Sequence, residues 1–499
     1  DLDSRNSFDI LLGHESYGIK NNDFNAAKTG YIVLDNPVLD NYTTIVSAAS
    51  QIDRYKTEGY FSRINYNHND RYFASFSFRR DGTSRFSQDA RWGNFWSIGG
   101  SWRMSEEAFM SGISWIDELK LRASYGQTGN DNVGGYYPSQ TLYSSGRNNG
   151  ANAGFFSYSV GNNALQWEKN TSADVAVDFE VLGRVRGTVE YFNRYSDNLL
   201  FSVPIPRESG YTSQNRNIGK MVNRGLEFDA NVDILKSSGG LEWNFALNAT
   251  MLTNEITRLP ETSRENGIIS GTKKLLEGRS IYDFWLKDWY GVDPDTGNPL
   301  YVYDPESEST PNNLLKEING VPVTTNQNNG AYHYAGSSIP DVYGAFTNSL
   351  SYKGFSLSVM FAYSIGGKIY DGNYAGLMST LDGGAISVGM ADRWQNPGDI
   401  TDVPRISINN NTNNVAGSDR WLTDASFLNL RNINLGYEFK KAAIQSLGIS
   451  SLRTYVSAEN LFFVSARKGL NPMETFNGTQ DAGLYPPSRV LTLGVNLNF

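Results

Sequence analysis

The last ten residues, Val490-Leu491-Thr492-Leu493-Gly494-Val495-Asn496-Leu497-Asn498-Phe499, constrain the fold most. Leu491, Leu493, Val495, Leu497 and Phe499 fall on one side of an extended chain, and Thr492, Gly494, Asn496 and Asn498 on the other. A strict period of two is a strand with one apolar and one polar face. This strand runs to the last residue and ends on an aromatic carboxyl terminus. A soluble sandwich would bury the apolar face in a core. A membrane-spanning barrel turns that face to lipid and gives the polar face a wet lumen.

The pattern recurs along the chain. Tyr72, Ala74, Phe76 and Phe78 alternate with Phe73, Ser75 and Ser77, and Leu119, Leu121, Ala123 and Tyr125 with Lys120, Arg122 and Ser124. Ala173, Val175, Val177 and Phe179 face away from Asp174, Asp178 and Glu180. Leu226, Phe228, Ala230, Val232 and Ile234 oppose Glu227, Asp229, Asn231 and Asp233. The stretches 241–251 and 355–363 repeat the scheme, and weaker cases lie at 7–18, 42–67, 93–104, 184–195, 282–290, 342–352, 424–439 and 451–463. The sum is roughly fourteen to sixteen strands of about ten residues, the length a tilted spanning strand needs. Charged and amide side chains sit on one face strand after strand. Against a dry core each would cost about 2–7 kcal/mol unpaired; against water the cost is small. The competing soluble antiparallel sheet has to account for the wide apolar faces and the terminal strand.

Connections alternate in length as well. Short links at 67–70, 182–184, 236–240 and 352–354, and moderate ones at 105–117 (with room for a helical turn) and 440–450, separate long polar stretches at 128–165, 196–217, 253–280, 291–340, 367–420 and 464–487. Short turns on one side and long outer loops on the other are the habit of a spanning barrel. At 499 residues the chain exceeds one ordinary soluble core, and no fixed repeat suggests a propeller or solenoid. Tyr (29) and Phe (26) suit interfacial girdles. The mean hydropathy of −0.43 and the lack of any run near about 18 apolar residues argue against a spanning helix. The absence of cysteine excludes disulfides and thiolate metal sites. A net charge of −9 without a Lys/Arg cluster argues against nucleic acid. The chain opens on Asp1 with no initiating Met and no export signal, so it is expected to be a mature or truncated piece of an exported protein.

Several stretches together resemble the SusC/RagA class of TonB-dependent outer-membrane transporters of Bacteroidetes-type bacteria. They are Ser77 to Phe86 (SFRRDGTSRF), Trp92 to Met110 (WGNFWSIGGSWRMSEEAFM), Leu119 to Asn130 (LKLRASYGQTGN), Asp424 to Phe439 (DASFLNLRNINLGYEF), Ser457 to Phe462 (SAENLF), and Tyr485 to Phe499 with Pro486 and Arg489. The resemblance covers essentially the whole chain in the right order. Phe95-Trp96 departs from the family's usual Phe-Pro. The resemblance implies an all-β fold, a transmembrane antiparallel β-barrel with long extracellular loops. Residues 1–499 would be the carboxyl-terminal portion of a barrel that the family builds from about twenty-two strands. The plug domain, the TonB box and the first strands would then lie outside this chain, and its first strand would pair with the amino-terminal part of the same transporter. The implied function is import of oligosaccharides or peptides, driven by TonB through the plug region, with a SusD-like surface lipoprotein over the mouth and the lipid bilayer around the wall. A passive porin or structural barrel, an outer-membrane enzyme and a secreted glycan-binding β-protein are the competitors.

Catalysis finds little support. His14, His68 and His333 are scattered, without carboxylates at ligand spacing along the chain, and no HExxH, GxSxG or phosphate-binding loop occurs. They read as lumen, turn or loop residues. No cofactor is expected. Asp293-Pro294-Asp295-Thr296-Gly297-Asn298 offers calcium as an alternative through Asp293 and Asp295, but position twelve of such a loop is Asp304 rather than Glu. The plainer reading is a hairpin turn joining 289–292 to 300–303. Trp285, Lys287 and Trp289 share a parity opposite to Phe284 and Leu286, which would aim two indoles into the lumen; Tyr332 and Tyr334 carry the same ambiguity. These five are candidate ligand contacts, against the alternative of packing on a plug or neighbouring loop. Arg79, Arg80, Asp81 and Arg85 are expected to form a rim charge network rather than touch a partner. Phe499 resembles the signal read by barrel-assembly machinery, a role compatible with that of a girdle aromatic.

Overall fold

A computed structural model describes residues 3, 5–132, 134–150, 152, 154–236, 240–307, 315–379, 385–407, 411–480 and 487–499. The turn at 237–239, and Tyr485 and Pro486 of the terminal motif, lie outside them. Fourteen long strands dominate. They are β1 (Asn6–Tyr31), β2 (Tyr42–His68), β3 (Tyr72–Thr83), β4 (Trp92–Arg103), β5 (Ile116–Asn130), β6 (Glu168–Val181) and β7 (Val185–Asp197), followed by β8 (Lys220–Lys236), β9 (Leu241–Arg258), β10 (Val342–Tyr352), β11 (Phe355–Ile365), β12 (Phe427–Glu438), β13 (Ser451–Glu459) and β14 (Val490–Asn498). The short strand Phe463–Ser465 adds to β12. Contacts divide the chain into two units: residues 1–103, 122–174 and 194–221, and residues 104–121, 175–193 and 222–499. Within each unit the strands pair antiparallel with their neighbours in chain order, a meander.

In the first unit the β1–β2 hairpin runs in register from Asn6↔His68 to Tyr31↔Tyr42, with one irregularity at Ala27/Lys28. At about 3.3 Å per residue, these 26- and 27-residue strands are far longer than the roughly ten residues that cross a bilayer. Their far ends therefore stand clear of lipid. Three residues turn the chain into β3: the His68 carbonyl accepts the Arg71 amide at 3.0 Å, and Asn69 and Asp70 take φ +55° and +54°, a left-handed pair that matches strand twist. On β3 the row Tyr72, Ala74, Phe76, Phe78 is exposed and the row Phe73, Ser75, Ser77 is less so. The polar row is hydrogen-bonded across and along strands: the Ser77 and Ser97 hydroxyls lie 2.6 Å apart, and Arg79 bonds Glu15 of β1 (2.9 Å) and Asp81 two residues along β3 (2.6 Å).

In the second unit β9 to β14 keep the alternation of apolar and polar residues. Leu247↔Phe346↔Phe361, Trp243↔Leu350↔Leu357 and Leu241↔Tyr352↔Phe355 are in register on the apolar face. The Trp243 indole donates to Asn348 (3.3 Å), so the amide in that row has a partner. Aromatics collect at the short-turn end, where Phe355, Tyr437 and Phe439 contact one another at 4.6 and 4.9 Å between ring centroids. That is the place of an interfacial girdle. Leu491 and Leu493 of β14 are 75% and 80% exposed, so none of the described residues forms a layer over the apolar face of the terminal strand. Gly494 on the other face leaves room for the Tyr455 ring that lies across it.

The 105–117 link holds the helical turn it has room for, in two 3-10 turns at Met104–Glu106 and Ala108–Met110, and the 440–450 link also folds into an α turn at Lys441–Ile444. One strand assignment is corrected. The stretch 282–290 is not a wall strand; it splits into Asp283–Lys287 and Trp289–Val292, which join two different small sheets in the connection between β9 and β10. Phe284 and Leu286, the row assigned to lipid, are 0% and 3% exposed because they face other protein.

Candidate functional site

The 259–341 connection builds two four-stranded sheets. The first orders Ile268–Ser270, Lys273–Leu275, Asp283–Lys287 and Tyr332–Ser337; the second orders Trp289–Val292, Pro299–Val302, Val321–Thr324 and Leu315–Ile318. In the first, Leu286 pairs with His333, Trp285 with Tyr334 and Lys287 with Tyr332. The strand period then sends the residues to two faces. Phe284, Leu286 and Ala335 form a core cluster against which Tyr370 and Leu422 pack. Trp285, Tyr332 and Tyr334 gather on the opposite face.

There the Trp285 indole stacks on Tyr332 (6.0 Å, 13° between planes) and meets Tyr334 edge-on at 4.8 Å. Cations surround the rings: Lys274 stands 4.2 Å from Trp285, Arg279 4.4 Å from Tyr334 and Lys287 5.5 Å from Tyr332. Tyr332 is 47% exposed, so a ring face remains open to an incoming molecule. Lys287 is buried, bonded to the Gln327 amide oxygen, and burial pushes its ammonium pKa down. Lys274 and Arg279 belong to this cluster although nothing in their spacing along the chain marks them.

Trp289 is apart from the other four. A register irregularity between Trp289 and Gly291 turns it edge-on to Tyr301 (5.4 Å), and the Arg420 guanidinium lies 4.6 Å from its ring. The structure thus brings together Trp285, Lys287, Tyr332 and Tyr334, and packs Trp289 within the second sheet. The hairpin turn at 293–298 is present: Val292 pairs with Pro299, and Gly297 adopts φ +70°. The Asp293 carboxylate accepts from Thr296 Oγ1 (2.5 Å) and the Asp295 amide (3.2 Å) and pairs with Lys316. Burial works against its charge, yet Lys316 and these donors hold its carboxyl below the usual range.

Of the histidines, His14 lies on β1 3.3 Å from Glu58, and His68 closes the β2–β3 turn with Nδ1 2.9 Å from Asn6. His333 is in different company. Its Nε2 stands 3.1 Å from Asp419 Oδ2, and Asp288 is beside both. The rim charges form the network expected of them: Arg79 with Asp81 and Glu15, Arg85 with Asp131 at 3.2 Å, and Arg80 over Trp92 at 5.4 Å. Phe499 is 86% exposed just past the end of β14, and its carbonyl accepts from Ser450 Oγ at 3.3 Å.

Comparison with known proteins places this geometry. Residues 1–461 match the family described as TonB dependent receptor-like, beta-barrel. TonB-dependent receptor P39 of Formosa agariphila is 29% identical over 490 residues, covering 88% of this chain and 46% of that protein. TonB-dependent receptor SusC of Bacteroides thetaiotaomicron is 28% identical over 512 residues, covering 99% and 48%. The RagAB peptide transporter structure superposes with a TM-score of 0.84 at 24% identity, over 100% of this chain and 54% of that one, a likeness of fold. This chain spans about half the length of the curated relatives it matches. It is an outer-membrane protein of the Bacteroidetes type, and it belongs to the TonB-dependent receptor β-barrel family.

Proposed function

We propose that the chain supplies barrel wall and outer loops of a SusC/RagA-type importer that takes up oligosaccharides or peptides. The observation that carries this reading is the pairing of a lipid-facing wall with folded loops bearing the open aromatic face of Trp285, Tyr332 and Tyr334. Flat rings stack on the apolar faces of sugars or pack against peptide side chains, and the flanking Lys274 and Arg279 add donors for hydroxyls, carbonyls or carboxylates. In this reading TonB acts through a plug region elsewhere in the same transporter, and a SusD-like lipoprotein covers the mouth. The chain itself is a conduit and part of the binding cavity, with no catalytic step assigned to it.

The test is uptake of labelled oligosaccharides and peptides by cells carrying the full transporter, with and without TonB. Energised import predicts that loss of TonB abolishes accumulation, and that Trp285→Ala with Tyr332→Ala weakens cargo binding while leaving the barrel assembled. Undiminished flux without TonB would convert the assignment to a passive pore.

A further inference from the structure

Asp288, His333 and Asp419 come together from three separate segments, with one ligand atom of each within 4.8 Å of the others. Asp288 follows the strand Asp283–Lys287, and its amide donates to the Ala331 carbonyl at 2.9 Å. His333 lies on the paired strand, opposite Leu286. Asp419 arrives from a 3-10 turn 86 residues beyond His333; its Oδ1 accepts the Trp289 amide at 2.9 Å, which leaves Oδ2 for the imidazole. Backbone pairing, which includes a parallel bridge between Lys287 and Ser418, thus fixes all three segments before the side chains meet.

Charge balance makes this arrangement unusual. Two half-buried carboxylates share one imidazole, and no lysine or arginine pairs with either among the described residues. The cations next to them in the chain are engaged elsewhere: Lys287 with Gln327, and Arg420 over Trp289 and Trp421. The Asp288 carboxylate makes no hydrogen bond or ion pair among the described residues. Next to the cluster, the wholly buried Ser418 hydroxyl also has no partner among the described residues.

We propose that Asp288, His333 and Asp419 form a binding site for a divalent transition cation of the zinc class, which staples the 411–421 segment to the sheet carrying the aromatic cluster. One imidazole nitrogen and two carboxylate oxygens suit such a cation; calcium and magnesium prefer all-oxygen shells. Bonds of about 2.1 Å in a tetrahedron set ligand atoms about 3.4 Å apart. His333 Nε2 and Asp419 Oδ2 stand 3.1 Å apart and the Asp288 ligand atom lies within 4.8 Å of both, so a cation that displaces the proton between His333 and Asp419 finds all three within reach. Water completes the shell. The site uses no residue of the aromatic face and stands whether the cargo is glycan, peptide or neither.

The experiment uses the full transporter in detergent, stripped with a chelator and titrated with zinc chloride by calorimetry, with bound metal counted afterwards. Cobalt(II) gives a visible absorption band that reports the ligand set. The wild type is expected to bind one more zinc per chain than His333→Ala or Asp288→Asn, or to bind it at least tenfold more tightly. Asp288→Asn is the decisive variant, because among the described residues that side chain makes no hydrogen bond or ion pair whose loss would disturb folding. Heat-modifiable gel migration verifies the barrel in each case. Equal zinc stoichiometry and affinity in wild type and both variants, or no zinc bound by the wild type, would overturn the site.

Discussion

Strands β14 and Asp283–Lys287 carry the same alternation and end in opposite surroundings. On β14 the apolar row is open, with Leu493 80% exposed; on the loop strand it is closed, with Phe284 at 0%. The wall leaves its apolar face to lipid and joins its polar side chains to one another across strands. The loop sheet has no lipid and makes its own core from Phe284, Leu286 and Ala335. A second loop cluster does the same with Ala375, Met378, Met390 and Trp421. Periodicity therefore tells which residues share a face and is silent on what lies against it. The wall derives its stability from the membrane, and the loops derive theirs as a small soluble domain does.

The sharpest test of that division is Phe284→Ala. Removing a fully buried ring costs about 3–5 kcal/mol, and here it also removes the contact of the Lys273 ammonium 3.2 Å above the ring. The cost is expected to fall on the loop alone: protease cleavage within 259–341 rises by about 10²–10³-fold while heat-modifiable migration stays unchanged. If the wall melts with the loop, the two regions are one cooperative body and the comparison breaks. Next in size is Leu493→Arg, expected to cost the wall about 2–4 kcal/mol in a bilayer at mid-strand depth. Thr492→Arg, one residue away on the lumen face, is expected to cost a small fraction of that. Denaturant unfolding in liposomes measures both, and equal losses would mean that lipid does not bathe the Leu493 row.

Much of the wall was legible because ten-residue strands repeat the alternation several times. Residues 226–234, 241–251 and 355–363 lie within β8, β9 and β11. The loop strands have three to six residues, too few for periodicity to separate a lipid-facing row from a buried one. That is why 282–290 reads as wall. The aromatic cluster was half legible: the sequence offers Trp285 and Lys287 on one stretch and Tyr332 and Tyr334 on another, but only the pairing Trp285↔Tyr334 shows that the two stretches meet. Trp289 shares their parity and leaves their company because the register slips beside it. The Asp288–His333–Asp419 cluster had no signal, since its members meet through tertiary contacts 86 residues apart rather than through ligand spacing along one strand.

A smaller effect sharpens the comparison from the ligand side. Trp285→Ala is expected to weaken cargo binding roughly tenfold, about 1.4 kcal/mol. Tyr334→Phe keeps the ring and loses only the hydroxyl's bond to the Lys274 carbonyl (3.3 Å), so it should change affinity less than threefold. Titration of the purified transporter with its cargo ranks the two. A loss as large in Tyr334→Phe would place recognition in hydrogen bonding rather than in the ring faces.

The smallest effect is one that only the loop environment produces. Burial pushes the Lys273 ammonium down to about 7, with Asp283 pulling the other way, whereas the unfolded side chain titrates near 10.5. Between those values the opened loop binds more protons than the closed one, so closing is favoured increasingly as pH rises from 7 toward 10. Below 7 both forms are protonated and the dependence levels off. The Tyr282 carbonyl accepts from this ammonium at 2.6 Å and the Phe284 ring lies beneath it; both favour the charged form and blunt the slope. Cleavage of the 259–341 segment by subtilisin, corrected for the enzyme's own pH profile, should fall about three- to tenfold between pH 7 and 9. In Lys273→Met the slope should vanish. A slope that survives in Lys273→Met would assign the dependence to another group, and a flat wild-type profile would mean that Lys273 stays charged in the closed loop.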